Sequence, residues 1–198
     1  MSAPSIADIP DLWERMVRAV QKVEERLLRS TSTLEAAGIP YAVIGGNAVA
    51  AWVATVDEGA VRNTRGVDIL IGREDLPRVI TAMDAAGWDY ANVAGVDLFV
   101  ERPNGKPSQG VHLLFAGERV KESDPVPAPD MRETERGVRF KVVTTEALVR
   151  MKLVAFRDKD KTHIRDLIGV GLIDDTWPDR FPPVLAERLQ AILSTPGG

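Results

Sequence analysis

The sequence predicts an α/β (α+β) fold: a mixed sheet preceded by an N-terminal helix and followed by a helical C-terminal part. Three observations carry this. Apolar residues recur at helical steps over the first forty positions. Short β-branched runs bounded by Gly and Pro alternate with helical stretches through the middle. From Thr144 onward the periodicity is helical again. The order divides the chain into an N-terminal helix (1–40), a core (41–143) and a helical C-terminal part (144–198), read as one compact unit.

Asp11 to about Ala37 reads as one amphipathic helix. Leu12, Met16, Val20, Val23, Leu27 and Leu34 recur at three- to four-residue steps with charges between them, and the Ser30 to Thr33 run interrupts the pattern. Gly38 suits the position after the helix and Pro40 a stop. Tyr41 to Ile44 is a short strand, Asn47 to about Val56 an Ala-rich helix, and Val67 to Ile71 an apolar, β-branched strand. Arg73 to Ala86 is a helix with acidic residues in its first turn, Pro77 near its start and Gly87 after its end. Val96 to Glu101, Gly110 to Ala116 and Val138 to Val143 read as strands, the first two joined by the hairpin-like turn "RPNGKPSQ". "KESDPVPAPDMRETERG" reads as an exposed loop. Thr144 then caps a helix through about Ala155, a second helix covers about Lys161 to Val170, "TWPDRFPP" is a loop, and Val184 to Leu193 is the last helix.

The composition is that of an ordinary globular protein, 44% hydrophobic and 27% charged. There is no cysteine, which excludes a disulfide scaffold, a zinc–thiolate site and a Cys nucleophile, and fits a cytoplasmic protein. The net charge is -4 and the pI near 5.3, so a nucleic-acid partner would have to meet a local basic patch. "MSAPSIADIPDLWERM" lacks the pattern of a signal peptide, and no apolar run approaches the roughly 18 residues of a membrane span; no membrane partner is expected.

Four places could do chemistry. Gly45-Gly46 lies between a strand and a helix, where backbone can approach a ligand and helical N–H groups can meet a phosphate; a tight packing turn would need the same residues, and the P-loop pattern is absent. "RNTRGVDILI" puts Arg62 and Thr64 ahead of a strand carrying Asp68. Positions 66 and 68 share a strand face, where two carboxylates could clamp a divalent cation against a triphosphate, but position 66 is Gly. His112 lies mid-strand in "GVHLLFA", as a half-buried structural histidine or, facing the same cleft as Asp68, as a base or metal ligand. Finally, "MKLVAFRDKDKTHIRDL" carries Lys152, Arg157 and Asp166 among mixed charges. It is either a solvated ion-paired surface or a place where Lys152 and Arg157 hold phosphate oxygens and Asp166 orients one of them.

Together, "IGGNAVAAW" followed by "RNTRGVDILI" resembles the signature of the nucleotidyltransferase (polymerase-beta-like) superfamily: a Gly-Gly or Gly-Ser turn, a spacer, and an R-x-T-x-D-x-D strand. Within it the chain is similar to the AbiEii-like group, whose members include toxins of toxin–antitoxin systems, and "MKLVAFRDKDKTHIRDL" resembles that group's helical motif. The resemblance spans roughly Tyr41 to Ile173. It implies that Gly45 and Gly46 form the phosphate-side turn, that Arg62 and Thr64 open the carboxylate strand, and that Asp68 is the second metal carboxylate. It implies further that Lys152 contacts the nucleotide and that Asp166 is the late aspartate. The first metal carboxylate falls at Gly66 and the third near His112, so the expected Mg²⁺ (or Mn²⁺) site is weakened. A single metal on Asp68 and His112 with Asp97 or Glu101 is one way to complete it. The implied activity is transfer of NMP from a nucleoside triphosphate to an RNA, protein or small-molecule acceptor, whether intact or degenerate. The alternative is a non-catalytic nucleotide-binding or toxin–antitoxin interaction module, with a cognate antitoxin as partner.

Overall fold

The computed structural model describes residues 11–195. The first ten residues of the stretch read against a signal peptide lie outside them. Among the described residues no helix is long and apolar enough to cross a membrane.

The helix α1 (Leu12–Ala36) leads into β1 (Ala42–Ile44), and α2 (Gly45–Ala54) follows β1 without a break. After an extended connection come β2 (Val67–Ile71), α3 (Leu76–Ala85), the hairpin of β3 (Trp88–Val93) and β4 (Val96–Glu101), and then β5 (Val111–Phe115). Two short strands, β6 (Thr134–Arg136) and β7 (Lys141–Val143), precede α4 (Thr145–Ala155), α5 (Asp158–Gly169) and α6 (Pro183–Leu193). The seven strands form one sheet in the order β3-β4-β5-β2-β1-β7-β6. β2 runs parallel to β5, and β1 parallel to β7; β1 and β2 are antiparallel. The sheet is mixed, as the element order predicts.

Strand alternation divides the core in two. Ala42, Ile44 and Leu70 face one side and pack against Leu148, Leu153, Ile164, Leu167, Leu185 and Leu189 of the C-terminal helices. Val43, Val67, Ile69, Val111 and Leu113 face the other side and pack against Leu27 and Leu34 of α1 and Val79 and Met83 of α3. Each such fully buried aliphatic side chain contributes roughly 1.5–3 kcal/mol. The strand ends are therefore held rigidly from both faces.

The elements differ from the sequence expectation where local signals are ambiguous. The β3 strand, "WDYANV", is unpredicted: only Trp88 at its start is fully buried, and the polar residues after it hide the pattern. The β6 strand lies inside the charged stretch read as a loop, as a short edge strand on β7. The strand expected from Val138 begins at Lys141, and Val138 is fully exposed. The expected Arg73–Ala86 helix opens with a 3₁₀ turn, Arg73–Asp75. The helix expected from Lys161 starts at Asp158, and "TWPDRFPP" contains a 3₁₀ turn, Trp177–Arg180, that tucks Trp177 into the core. Thr144 caps α4 as expected, accepting from the Ala147 N–H.

Candidate active site

Three strand ends meet at one end of the central strands of the sheet. The β1 strand finishes at Ile44, paired with Asp68 near the start of β2, and Asp68 lies beside His112 near the start of the parallel strand β5. Direct pairing puts Asp68 and His112 on the same face, the one covered by the C-terminal helices. The Asp68 Oδ1 to His112 Nδ1 distance is 3.4 Å, at the edge of hydrogen-bonding range.

Gly45 has to be glycine here. Its φ is +71°, and a Cβ on it would stand 2.2 Å from Asp68 Oδ2. A Cβ on Gly46 would stand 2.6 Å from Thr64 Oγ1 and 3.7 Å from His163 Cε1. The pair thus brings the first turn of α2 flush against the Asp68 carboxylate and the Thr64 hydroxyl, and no side chain caps that turn. Its N–H groups point where an anion would sit. Asn47 donates from Nδ2 to the Gly66 carbonyl at 2.8 Å, which ties α2 to the approach to β2. Gly66 stands just before the strand, and a Cβ there would meet only His112 Nδ1 at 4.0 Å.

The start of α5 supplies the positive side. Asp160 is completely buried and carries two cations: Lys152 Nζ at 3.1 Å from Oδ1 and Arg157 Nε at 2.7 Å from Oδ2. Burial works to raise the Asp160 pKa, but hydrogen bonds from Arg157 and the charge of Lys152 outweigh it and hold the carboxyl below its usual range. Burial depresses the Lys152 amine despite Asp160. The Asp68 carboxylate acts electrostatically on both Lys152 and Arg157, and Lys159 acts on His112, so this end of α5 and the strand pair share one field.

The two histidines are pushed in opposite directions. Hydrogen bonding to Asp68 raises His112, against the effect of burial. Burial, helped by Lys152, lowers His163 to about 4, and its Nδ1 is buried without a hydrogen-bond partner.

The structure therefore brings together Gly45, Gly46, Thr64, Asp68 and His112, with Arg157 nearby. Lys152 is present as a buried amine beneath Arg157 rather than at the surface of the cleft. The expectation that Asp166 orients Lys152 or Arg157 is corrected: Asp160 does so, and Asp166 instead accepts from Arg62 Nε at 2.8 Å. The expectation that Asp97 or Glu101 joins Asp68 and His112 also fails. Leu98 is the residue paired with His112, so 97 and 101 point through the opposite face. Asp97 accepts from Tyr90 and Asn92, and Glu101 meets Arg26 and Arg29. The sequence does not single out Asp160 and His163, because "RDKDKTH" alternates charges. Only the helix starting at Asp158, three residues earlier than expected, turns these two inward.

The nucleotidyltransferase resemblance calls for divalent metal, and the donor set decides how much of that fits. Among the described residues no group of three or more Asp, Glu, His or Cys side chains stands close enough to hold an ion. Gly66 supplies no ligand, so a two-metal centre does not fit. A single Mg²⁺ taken from one carboxylate and the oxygens of a triphosphate does fit Asp68. Hydrogen bonding that favours the His112 imidazolium works against metal ligation, which needs the neutral ring.

No protein-family model matches the chain, and no curated protein matches it. Solved structures do. An antigenic nucleotidyltransferase-like protein from Paracoccidioides brasiliensis is similar at TM-score 0.52 and 18% identity, over 89% of this chain and 88% of that one. JHP933 from Helicobacter pylori is similar at TM-score 0.50 and 16% identity, over 92% and 75%. ANT(2'')-Ia in complex with adenylyl-2''-tobramycin is similar at TM-score 0.50 and 13% identity, over 89% and 98%. These likenesses show the fold: a mixed sheet with flanking helices, as in nucleotidyltransferase-like proteins.

Proposed function

We propose that the chain binds a nucleoside triphosphate as its Mg²⁺ complex and transfers NMP to an acceptor hydroxyl. One observation carries the reading: a side-chain-free turn at the N-terminus of α2 is pressed against a carboxylate, which lies within electrostatic reach of the Arg157 guanidinium. A triphosphate needs those three things together: N–H donors, a carboxylate for its cation, and a fixed positive charge. The fold shared with nucleotidyltransferase-like structures supports it, and a neighbour holding an adenylylated product supports the adenylyl-transfer class.

In this reading Gly45, Gly46 and Asn47 present backbone N–H groups to phosphate oxygens. Asp68 would hold a single Mg²⁺, whose charge would neutralise the phosphates when bound. Arg157, locked by buried Asp160, meets the developing charge on the pyrophosphate as the acceptor oxygen displaces it from the α-phosphorus. Thr64 and the Arg62–Asp166 pair form the rim. The resemblance of the sequence motifs to the AbiEii-like group favours a toxin of a toxin–antitoxin pair as the biological role. The test is incubation of the purified protein with each labelled nucleoside triphosphate, Mg²⁺ or Mn²⁺, and total RNA or protein extract. Label should enter a macromolecule with the parent and not with Asp68→Asn.

Gly66 favours a second reading, a nucleotide-binding module without transfer. It is distinguished by nucleotide-dependent melting shifts in a protein that labels nothing.

A further inference from the structure

A concave surface lies beside the segment that leads into β2. It is a groove of about 800 Å³ between α1 and the segments leading into β2 and β5. Arg15, Arg18, Lys22 and Arg26 line one wall, at steps of three and four residues that keep them in one stripe of the helix. Arg65 lines the other wall. No residue lining the groove is acidic among the described residues, in a protein whose net charge is -4. The positive charge is therefore gathered here against the overall balance.

Two further facts point to a ligand. Arg15, Lys22 and Arg65 form no ion pair among the described residues, whereas most other arginines do. Arg26 is only 6% exposed, and its Nε is buried without a hydrogen-bond partner although its Nη2 approaches Glu101 at 3.5 Å. With Glu101 behind it, this guanidinium is a fixed positive charge in the groove wall. Thr64 links the groove to the α2 turn: it lines the groove, and its hydroxyl abuts Gly46.

We infer that this groove binds the phosphodiester backbone of a single-stranded polynucleotide and delivers its end past Thr64 to the Asp68 site. The inference rests on the proposed nucleotide transfer for the reason a strand should end there, but the groove's binding is testable by itself. Several cations in a line suit a repeating polyanion, whereas a small acceptor would need only one or two. Arg65 and Thr64 stand where the strand would turn toward the cleft. The uncharged donors Ser108 and Gln109 on the same wall can meet sugar hydroxyls.

The experiment is fluorescence anisotropy of the full chain with end-labelled twelve-residue oligo-U RNA, oligo-dT of the same length, and an oligo-glutamate peptide, over a salt series. The parent should bind the oligonucleotides, with a log–log salt slope of about -2 to -3.5 from three to five neutralised phosphates. Stronger RNA than DNA binding assigns the sugar hydroxyl a role; equal binding assigns the backbone alone. The exposed pair Arg15→Glu/Lys22→Glu should weaken binding by about tenfold or more and flatten the slope by about 1.4. Lys121→Glu/Arg132→Glu, outside the groove and of equal charge change, should stay within about twofold once general charge is screened. Circular dichroism on both variants checks that they fold. No oligonucleotide binding by the parent, equal losses in the two folded variants, or equally tight oligo-glutamate binding overturns the inference. Melting shifts with each Mg–nucleoside triphosphate, taken in parallel on the parent, test the nucleotide site separately. Their absence beside intact oligonucleotide binding would sink the transfer reading and not the groove.

Discussion

Asp68 and His112 face each other across the parallel strands β2 and β5, with Oδ1 and Nδ1 3.4 Å apart, and each shapes what the other can do. His112 is raised above its ordinary value chiefly by hydrogen bonding to Asp68. A histidine with a raised folded pKa contributes stability that is fully present below its unfolded value, near 6.5, and lost as pH rises through the folded value. Asp68→Asn should therefore lower the His112 titration midpoint followed by NMR. The destabilisation it causes should be larger at pH 6 than at pH 8.5. An unchanged midpoint would mean the two side chains do not interact in solution.

His163 gives the opposite pH dependence. Burial holds it at about 4, with its Nδ1 unpartnered. Between there and about 6.5 the unfolded chain binds a proton the folded chain refuses, so stability should rise with pH through that window, by roughly 3 kcal/mol in total. Urea unfolding of the parent and of His163→Gln at pH 4.5 and 7 measures it. The variant should be flatter in pH, and equal slopes would dispose of the assignment.

The parts of this site that could be read from sequence were those set by backbone rules. Gly45 and Gly46 announce a close approach, and strand alternation puts Asp68 on the face of position 66; the structure sets that turn against that carboxylate. The same alternation, once the register of β4 on β5 is known, removes Asp97 and Glu101. Sequence alone does not give register, so it leaves both residues compatible with the His112 face. The buried charges were illegible for a different reason. Whether Asp158, Asp160 or Asp166 turns inward depends on where α5 begins, and Lys152 and Arg157 are drawn to whichever does. The basic stripe on α1 was present as periodicity, but the groove exists only because Arg65 comes up opposite it.

Lys152 should prove to be a stability residue first and a binding residue second. Its amine is buried against an Asp160 that has no exposure at all. Removing one partner of a buried pair costs about 3–5 kcal/mol, and Arg157, still on Asp160, should keep Lys152→Ala near the lower figure. Lys121→Ala in the exposed loop should cost under about 0.5 kcal/mol. Titration calorimetry with Mg-ATP and Mg-CTP, well below the melting point, then reads the nucleotide term. Loss of a direct phosphate contact would add about 1.5–3 kcal/mol to binding, whereas a supporting role through Arg157 would add less. Equal melting points for the Lys152 and Lys121 variants would contradict the buried pair.

Gly66 decides how far the site lies from a full metal centre. Its backbone is not left-handed, and a Cβ there meets nothing nearer than His112 Nδ1 at 4.0 Å, so Gly66→Asp should be accommodated without collision. The new carboxylate would project beside Asp68 and toward His112, giving Mg²⁺ a second oxygen ligand. Without the cation the two carboxylates repel, although the imidazolium form of His112 relieves part of that. Mg²⁺ should therefore raise the melting temperature of Gly66→Asp more than that of the parent, and the difference should shrink in EDTA. Transfer of label from nucleoside triphosphate should rise as well, since each carboxylate that positions the metal supplies transition-state stabilisation. The measurement is a set of melting curves with and without Mg²⁺, beside the labelled-nucleotide assay. A variant that gains neither Mg²⁺ stabilisation nor transfer would show that the metal side of the site is lost beyond one residue. The turn, Arg157 and Asp68 would then serve nucleotide binding alone.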